Sequence, residues 1–401
     1  MTSPTVRYDL DDDNRFIIES YNWAKAFSNF FPGIAGKWGV PLWAYYVSKG
    51  QAVCSVGFRD KNAQILEFDS FNKATLHAPQ QGYRTFLKVD GRLHEAFRRT
   101  RNTRVHQRMA ISAGELELLE RNEAAGYELK VTYYPIVNRP VGGFVRQVRL
   151  KNTSTSDRRF EWVDGVARIL PAGMDQTHIK MIARHIEAMM GGTRVQGFPL
   201  FRLKQSAADS ERIEGVQGGN YYVSLHDGAS VAEKVIVDPD PLFGESLDLE
   251  HPWVFEDLGA AGVLELPQLR ECKTPCAFTV LDQKLPAGGE TTLVSVIGHV
   301  ERDGDLELLL EMLEKPGFLE ANRQEGRHLL DEIMDRSFTA SAEPAFDAYC
   351  RQNFLDNVMR GGMPLMFDTA EGKSAFYAYS RQNGDLERDY HFFVLEPGYL
   401  S

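Results

Sequence analysis

The sequence has few cysteines and no long apolar segment. These two features argue against a disulfide-rich protein and against a protein with membrane-spanning helices. Its four cysteines, Cys54, Cys272, Cys276 and Cys350, are too few for a disulfide scaffold and predict reduced thiols in a cytoplasmic protein. The apolar runs are far shorter than the ~20 residues that a membrane helix requires. The N-terminus has neither the basic start nor the apolar stretch of a signal peptide. We therefore expect no membrane partner.

Positive charge is also in short supply. The chain carries 45 Lys and Arg residues against 56 Asp and Glu residues, which gives a formal net charge of −11. A chain of that charge is repelled by phosphate backbones, so we expect no nucleic-acid partner. The hydrophobic fraction of 43% in 401 residues is sufficient for a large core, and the many aromatic residues exclude disorder as the main state.

From about residue 40 to residue 300 the dominant hydrophobic period is two, which is typical of half-buried antiparallel strands. Within 144–151, Arg146 shares one face with Phe144, Val148 and Leu150, so that face is not uniformly apolar. More than ten strands with almost no intervening helix predict a large two-sheet sandwich. The predicted strands are 42–47, 52–58, 83–89, 104–112, 115–121, 127–136, 144–151, 159–166, 198–204, 220–226, 276–282 and 291–300, with turns at Lys49-Gly50, Asp90-Gly91, Asp227-Gly228 and Gly288-Gly289.

Near Gly304 the hydrophobic period changes to that of helices, which continue over 321–334 and 343–359 and stop at Gly361-Gly362. The last forty or so residues look extended again. The sequence thus predicts a mainly β chain with three parts: a β-sandwich domain at 1–302, a helical linker at 303–362 and a short extended C-terminal segment at 363–401. One further segment, 175–190, is predicted to be a helix or an ordered arm between strands.

Several motifs that could carry chemistry have a simpler structural interpretation. The aromatic block 21–38 could stack on sugar rings, but we favour packing across the sandwich. Asp238-Pro239-Asp240 is typical of a rigid turn rather than a metal site. Cys272 and Cys276 lack a second ligand pair at zinc spacing, and His-Glu-x-x-His and Gly-x-Ser-x-Gly are both absent. The residues alone therefore predict no metal, no cofactor and no complete active site.

The last third of the chain is more suggestive of a binding site. Guanidinium groups bind phosphate and sugar hydroxyls through paired donors. Interdomain salt bridges remain the alternative, and spacing alone favours them. No pair of carboxylates can be nominated for acid–base catalysis. The residues in question lie among aromatics and are Arg351, Asn357, Arg360, Arg381, Arg388 and Asp389.

Blocks spread over nearly the whole chain resemble the 1,2-β-oligoglucan phosphorylases of glycoside hydrolase family 94, which also contains cellobiose phosphorylase. The resemblance begins in the aromatic block and ends close to the C-terminus. The blocks that carry it are Asn22 with 30–36, 41–43, 50–55, 72–74, 82–86, 218–222, 275–278, 349–352, 355–358, 360–362, 380–381 and 384–390.

The resemblance implies a galactose-mutarotase-like supersandwich, then a helical linker, then an (α/α)6 barrel. It also implies an inverting reaction in which one Asp of the barrel protonates the glycosidic oxygen while inorganic phosphate, a co-substrate, attacks the anomeric carbon. That departs from the two-carboxylate scheme of hydrolysis. The resemblance places that barrel after the part represented here, so no catalytic residue is assigned. Groups expected to face the substrate cleft are Asn357, Arg360, Arg381, Arg388 and Asp389.

We therefore expect the N-terminal, non-catalytic part of a phosphorylase that releases glucose 1-phosphate from β-1,2-glucooligosaccharides. Its expected partners are that saccharide and a catalytic barrel in the same or a separate polypeptide. The alternative is a free-standing carbohydrate-binding or scaffold module without catalysis. An aldose epimerase is a weaker alternative, because no His–Glu pair can be nominated from the sequence for proton transfer at an anomeric hydroxyl.

Overall fold

The computed structural model describes residues 4–13, 15–31, 40, 42–58, 62–175, 178–179, 183–207, 211–212, 214–337, 339–360, 365–369, 372–379 and 391–395. At 183–184, 345, 352–353, 356–360 and in the last three of these segments it describes the backbone alone. Within these ranges no helix is both long enough and apolar enough to cross a bilayer.

Antiparallel strands are the main regular structure before residue 303, and three short ones follow the helices near the C-terminus. Strands β1 to β12 are Arg7–Leu10, Phe16–Glu19, Ser28–Phe30, Leu42–Val47, Val53–Phe58, Gln64–Leu66, Tyr83–Val89, Arg92–Glu95, Val105–Ile111, Leu116–Asn122, Tyr127–Pro135 and Gly142–Asn152. Strands β13 to β23 are Arg158–Val166, Met190–Val195, Phe198–Leu203, Gly219–His226, Ala229–Ser230, Val235–Ile236, Ala277–Leu285, Glu290–Val300, Leu365–Thr369, Gly372–Tyr379 and His391–Leu395. The helices, α1 to α6, are Phe71–Gln81, Asp240–Phe243, Trp253–Leu264, Asp303–Leu313, Phe318–Met334 and Pro344–Arg360.

The strands form one large sheet and three smaller ones. The large sheet has eleven strands in the order β1-β2-β9-β10-β11-β12-β20-β16-β15-β14, with β17 paired to β16. A five-stranded sheet has the order β18-β19-β13-β7-β8, and a four-stranded sheet has the order β3-β4-β5-β6. Strands β21 to β23 form a separate three-stranded sheet.

The main hydrophobic core lies where these sheets face one another. Val148 of the large sheet, Trp162 of the five-stranded sheet and Tyr46 of the four-stranded sheet belong to one buried cluster. Arg146, the arginine on the apolar face of β12, is fully buried there and forms an ion pair with the equally buried Asp164 of β13. The polar position that interrupts the sequence pattern is therefore paired across the two sheets.

Helices cover the outer faces of both larger sheets. The apolar stripe of α4, which contains Leu306 and Leu310, packs on Val296 and Tyr221 of the large sheet. On the far side of the five-stranded sheet, α2 and α3 pack with Phe86 in a second cluster. Helix α5 is fixed to the sandwich through Asn322, whose side-chain amide hydrogen-bonds the Val137 main chain. Parts of both larger sheets are thus covered on the face that points away from the main core.

The mainly β class is confirmed, and most predicted strands occur within two residues of their expected ends. The expectation of almost no intervening helix is wrong at α1 and α3. Helix α1 buries only Ala74 and Ala78, so it has almost no apolar period, and Pro79 lies inside it. Helix α3 is apolar on most sides, which gives no contrast between faces. For the segment predicted as a helix or arm, the structure has a 3₁₀ turn at Ala183–Met189 that leads into β14.

Helices α4, α5 and α6 occupy the range for which the sequence predicts a linker. Its role as a linker, and the domain boundaries at 302 and 362, stay predictions. Gly361 and Gly362, the expected helix stop, lie outside the described residues.

Candidate functional site

A polar cleft opens at the rim where the five-stranded sheet meets the large sheet. Its volume is about 410 Å³. Edge strand β8 and the loop 96–104 form one wall, the ends of β9 and β10 form the floor, and the segment 251–256 forms the opposite wall. The lining side chains are Phe86, Leu93, His94, Glu95, Arg98, Arg99, Thr100, Asn102, Val105, Glu120, Asn122, His251, Pro252 and Glu256.

The wall that carries His94 and Glu95 is positioned by a tight hairpin. Strands β7 and β8 are joined by Asp90 and Gly91, whose φ angles of 49° and 80° are those of a type I′ turn. The turn fixes the register, so His94 and Glu95 follow at set positions on the edge strand. Burial and the neighbouring Arg92 guanidinium lower the pKa of His94, which favours the neutral imidazole.

Glu95 is the centre of an ion-pair network that joins the two walls. Its carboxylate accepts from Arg84 Nε at 2.8 Å and from Arg98 Nη1 at 2.8 Å. Arg84 also donates to the main-chain oxygens of Leu249 and, at 2.7 Å, of Glu250. Arg98 reaches the Glu250 carboxylate at 3.1 Å. The wall formed by 251–256 is thereby held against β7 and β8.

The floor of the cleft contains a buried carboxyl group, that of Glu120 on β10. It accepts hydrogen bonds from the Phe97 main-chain N–H at 2.6 Å, from Gln107 Nε2 at 2.7 Å and from the Tyr127 hydroxyl at 2.7 Å. Burial raises the pKa of Glu120, and these donors only partly offset that effect. Phe97 has a φ of 61°, a left-handed conformation that is costly for a bulky residue.

The opposite wall presents a histidine and a carboxylate, and an indole lies beside the histidine. His251 Nε2 lies 2.6 Å from Glu256 Oε2. The ring of Trp253 lies beside that of His251, with 4.0 Å between centroids, yet its residue remains 59% exposed. Lys88 Nζ donates to the Glu256 main-chain oxygen at 2.6 Å, which fixes the start of α3 on the sheet. The sequence alone nominated no His–Glu pair, and the structure supplies this one.

The aromatic block, interpreted from sequence as packing, does pack in its described part. Tyr21 and Asn22 are buried, and Asn22 Nδ2 donates to the Phe97 main-chain oxygen at 2.9 Å. Trp23 Nε1 donates to the Thr100 oxygen at 3.1 Å, so this indole supports the loop that lines the cleft. Residues 32–38 of the block lie outside the described residues.

The substrate-facing residues predicted from sequence are not tested. Asn357 and Arg360 lie on α6 where only the backbone is described, and Arg381, Arg388 and Asp389 lie outside the described residues. Arg351, which belongs to the wider set of candidates in the last third of the chain, pairs with Asp335 at 2.9 Å, and both residues lie within the predicted linker.

The residues of the cleft were missed because they are distant in sequence and polar. Two local signals were nevertheless present. The Asp90-Gly91 turn marked the hairpin, and residues 98–104 contain four arginines in seven positions. What the sequence could not show is that the segment 251–256 lies opposite them.

The Asp238-Pro239-Asp240 motif is held by a lysine. Lys273 Nζ pairs with Asp238 at 2.9 Å, and also with Asp240, so the Asp-Pro-Asp turn is a structural ion pair. Across the described ranges no cluster of three or more His, Cys, Asp or Glu side chains is arranged for a metal ion. The thiols of Cys54, Cys272, Cys276 and Cys350 are free.

No protein-family model matches this sequence, and no curated protein matches it. Among solved structures the chain is similar to a bacterial glucoamylase complexed with acarbose, at 8% identity and a TM-score of 0.40, over 84% of this chain and 44% of that one. It is similar to a galactose mutarotase-like protein from Clostridium acetobutylicum, at 10% identity and a TM-score of 0.33, over 75% of this chain and 99% of that one. It is also similar to a putative kojibiose phosphorylase from human microbiome, at 7% identity and a TM-score of 0.28, over 88% of this chain and 33% of that one. This chain thus spans less than half the length of either enzyme.

Proposed function

We propose that this chain binds carbohydrate and that the cleft between β8 and the segment 251–256 holds a sugar ring. The observation that carries the proposal is the set of closely spaced carboxylate, imidazole, amide and guanidinium groups around one cavity of about 410 Å³. The exposed indole of Trp253 lies outside this lining but packs beside the lining residue His251. A cavity of that size accommodates one or two sugar rings.

The chemistry of the walls matches that of a pyranose. The C–H face of a sugar ring is apolar and packs against an indole, while its hydroxyls require both donors and acceptors in fixed directions. Glu256 and Glu95 offer acceptors, and Asn102 and Arg99 offer donors. Because Glu95 is held by two arginines, its acceptor oxygens are already oriented before a ligand arrives.

We further propose that the chain is the non-catalytic N-terminal part of a phosphorylase acting on β-1,2-glucooligosaccharides, with the catalytic barrel in the same or a separate polypeptide. The sequence blocks that resemble family 94 support this assignment. The aromatic surface of α6 supports it as well, because Phe346 and Tyr349 are 53% and 65% exposed and suit a contact with another domain. A free-standing binding module is the alternative.

The cleft is tested by calorimetric titration of the chain with β-1,2-glucooligosaccharides. We expect Trp253→Ala to weaken binding roughly fivefold to tenfold, because the lost stacking is worth about 1 kcal/mol and the substitution is at an exposed position. Tyr8→Ala is the matched control, since Tyr8 is 55% exposed on the edge strand β1 and is not part of the cleft. Equal affinities of the wild type and Trp253→Ala would refute stacking on Trp253, and equal affinities of the wild type and Asn102→Ala, a substitution inside the cleft, would refute the cleft as the binding site.

The phosphorylase assignment is tested separately from binding. We expect the 401-residue chain to form no glucose 1-phosphate from β-1,2-glucooligosaccharides and phosphate, because the expected acid belongs to the barrel. A longer polypeptide that includes the barrel should form it, and Arg388→Ala there should change the rate or KM. Phosphate-dependent glucose 1-phosphate formation by the 401-residue chain would contradict the assignment of a non-catalytic part. Binding without activity in any longer form would favour the free-standing module.

A further inference from the structure

The loop that forms one wall of the cleft carries a local excess of positive charge in an acidic chain. Residues 98–104 contain four arginines, whereas the whole chain has a net charge of −11. Arg98 is neutralised by Glu95 at 2.8 Å and by Glu250 at 3.1 Å. Arg104 donates to the main-chain oxygen of Glu123 at 3.4 Å. Arg99 and Arg101, which lie between these two in the sequence, have different surroundings.

Arg99 and Arg101 lie over the ring of Trp23. Their guanidinium carbons are 3.9 Å and 5.7 Å from its centroid, respectively. In the part of the chain that the structure describes, no carboxylate pairs with either of them. Stacking on an aromatic face leaves the N–H edge of a guanidinium free to bind another group. Arg99 lines the cleft, so its N–H groups are available to a ligand there.

A third cation lies close to Arg99. Lys49 Nζ donates to the main-chain oxygens of Asn22 at 2.9 Å and of Ala24 at 2.8 Å, both of which are neutral. Burial and the nearby Arg99 guanidinium lower the pKa of Lys49. Lys49 pairs with no carboxylate in the described ranges. The positive potentials of Lys49, Arg99 and Arg101 therefore add at this end of the cleft.

Like charges that share a site without a counter-charge repel one another, and an anion placed between them removes that cost. Guanidinium groups bind phosphate and carboxylate through two parallel N–H bonds. Next to Arg99, Thr100 and Asn102 also line the cleft and can hydrogen-bond an anion or the hydroxyls beside it. The site thus combines positive charge, polar neighbours and an open cavity.

We infer that the ligand of the cleft is an anionic saccharide, whose phosphate or carboxylate group binds at Arg99 while its ring occupies the space near Trp253. This inference rests on the proposed carbohydrate-binding function of the cleft and names the class of sugar; it does not rest on the assignment of β-1,2-glucooligosaccharides, which are neutral. A sugar phosphate and a uronic acid share the required chemistry. Arg101 and Lys49 contribute positive potential without direct contact to the ring.

The test is calorimetric titration of the full chain with glucose 1-phosphate, glucuronate, glucose and inorganic phosphate, at low salt and at 150 mM salt. We expect at least one anionic sugar to bind tenfold or more tightly than glucose. Arg99→Gln should remove that difference, because it deletes the charge at an exposed position. Arg270→Gln is the matched control, since Arg270 is also exposed, pairs with no carboxylate in the described ranges and lies outside the cleft.

Each outcome separates the inference from the proposed function. Equal affinities for glucose and both anionic sugars, or a preference that survives Arg99→Gln, would overturn the anionic ligand and leave a neutral sugar cleft. Binding of inorganic phosphate that depends on Arg99, with no sugar bound, would support the anion site and overturn the sugar cleft. The two anionic sugars then distinguish phosphate from carboxylate, since only the preferred group should show the Arg99 dependence.

Discussion

Removal of the buried ion pair between the two sheets is expected to be costly when only one partner is lost. Arg146 and Asp164 are both fully buried, and their ion pair joins β12 of the large sheet to β13 of the five-stranded sheet. Thr85 donates to the other Asp164 oxygen at 2.6 Å, and Arg146 Nε donates to the Tyr133 hydroxyl at 3.2 Å. Asp164→Asn keeps the shape of the side chain and removes its charge, which leaves the guanidinium buried without a counter-ion.

Breaking a buried pair in this way typically destabilises a protein by about 3–5 kcal/mol. We expect Asp164→Asn and Arg146→Met each to lower the free energy of unfolding by an amount in that range. The double variant Arg146→Met/Asp164→Leu should recover most of the loss, because replacement of a whole buried pair by apolar groups is often neutral or stabilising. The loss of unfolding free energy in each single variant is thus caused by the charge that remains buried without its partner.

Urea unfolding followed by tryptophan fluorescence measures these differences, with the m-values compared to check that the same structure unfolds. Arg149→Met is the matched control. Arg149 lies on the same strand three positions further on, and its partner Glu290 is exposed, so the loss there should stay below about 1 kcal/mol. Equal small losses for Arg146→Met and Arg149→Met would refute the reasoning, because they would show that the inner pair is not desolvated.

Two further substitutions test the floor of the cleft and the attachment of the helices. Because the pKa of Glu120 is raised above its ordinary 4.5 in the folded state, the wild type should lose stability as the pH rises through that raised value. Glu120→Gln should not lose stability in this way, so its melting temperature relative to that of the wild type should rise from pH 4 to pH 7. A constant difference between the two melting temperatures over this pH range would contradict the reasoning. Asn322 on α5 is buried and pairs with the Val137 main chain at 3.0 Å and 2.9 Å, so Asn322→Ala should cost about 1–3 kcal/mol and speed proteolysis before α5. The control is Gln324→Ala at an exposed position of the same helix. Equal proteolysis rates in the two variants would show that the hydrogen bonds of Asn322 do not hold α5 on the sandwich.

The strands could be predicted from sequence because their signal is local. Apolar and polar residues alternate along β11 and β12, and turn residues end the pattern. Such alternation identifies the buried face of a strand whatever its neighbours in the fold are. Arg146 was visible as an exception to that alternation, but its partner Asp164 was not, since the pairing depends on which sheet faces which. Contacts between residues that are distant in sequence do not alter the local hydrophobic period, so the period cannot reveal them.

The cleft could not be predicted for the same reason. His94 and Glu95 end an edge strand, whereas His251 and Glu256 lie more than 150 positions further along the chain. Only the fold of α3 against the five-stranded sheet brings them together. The resemblance to a phosphorylase family implies a site near the C-terminus, whereas the polar groups that form this cavity lie in the sandwich.

Strand β7 connects the interior of the sandwich to the cleft, and the pleat of a strand explains how. Successive side chains point to opposite faces. Thr85 points into the core, where it donates to Asp164, while Arg84 and Phe86 point to the other face. There Arg84 holds Glu95 and the segment 249–250, and Phe86 lines the cleft. Arg84 and Phe86 therefore lie on a strand whose opposite face is held by Thr85 to the buried Arg146–Asp164 pair. A ligand that enters meets walls already in place, so little of its binding energy is spent on ordering them.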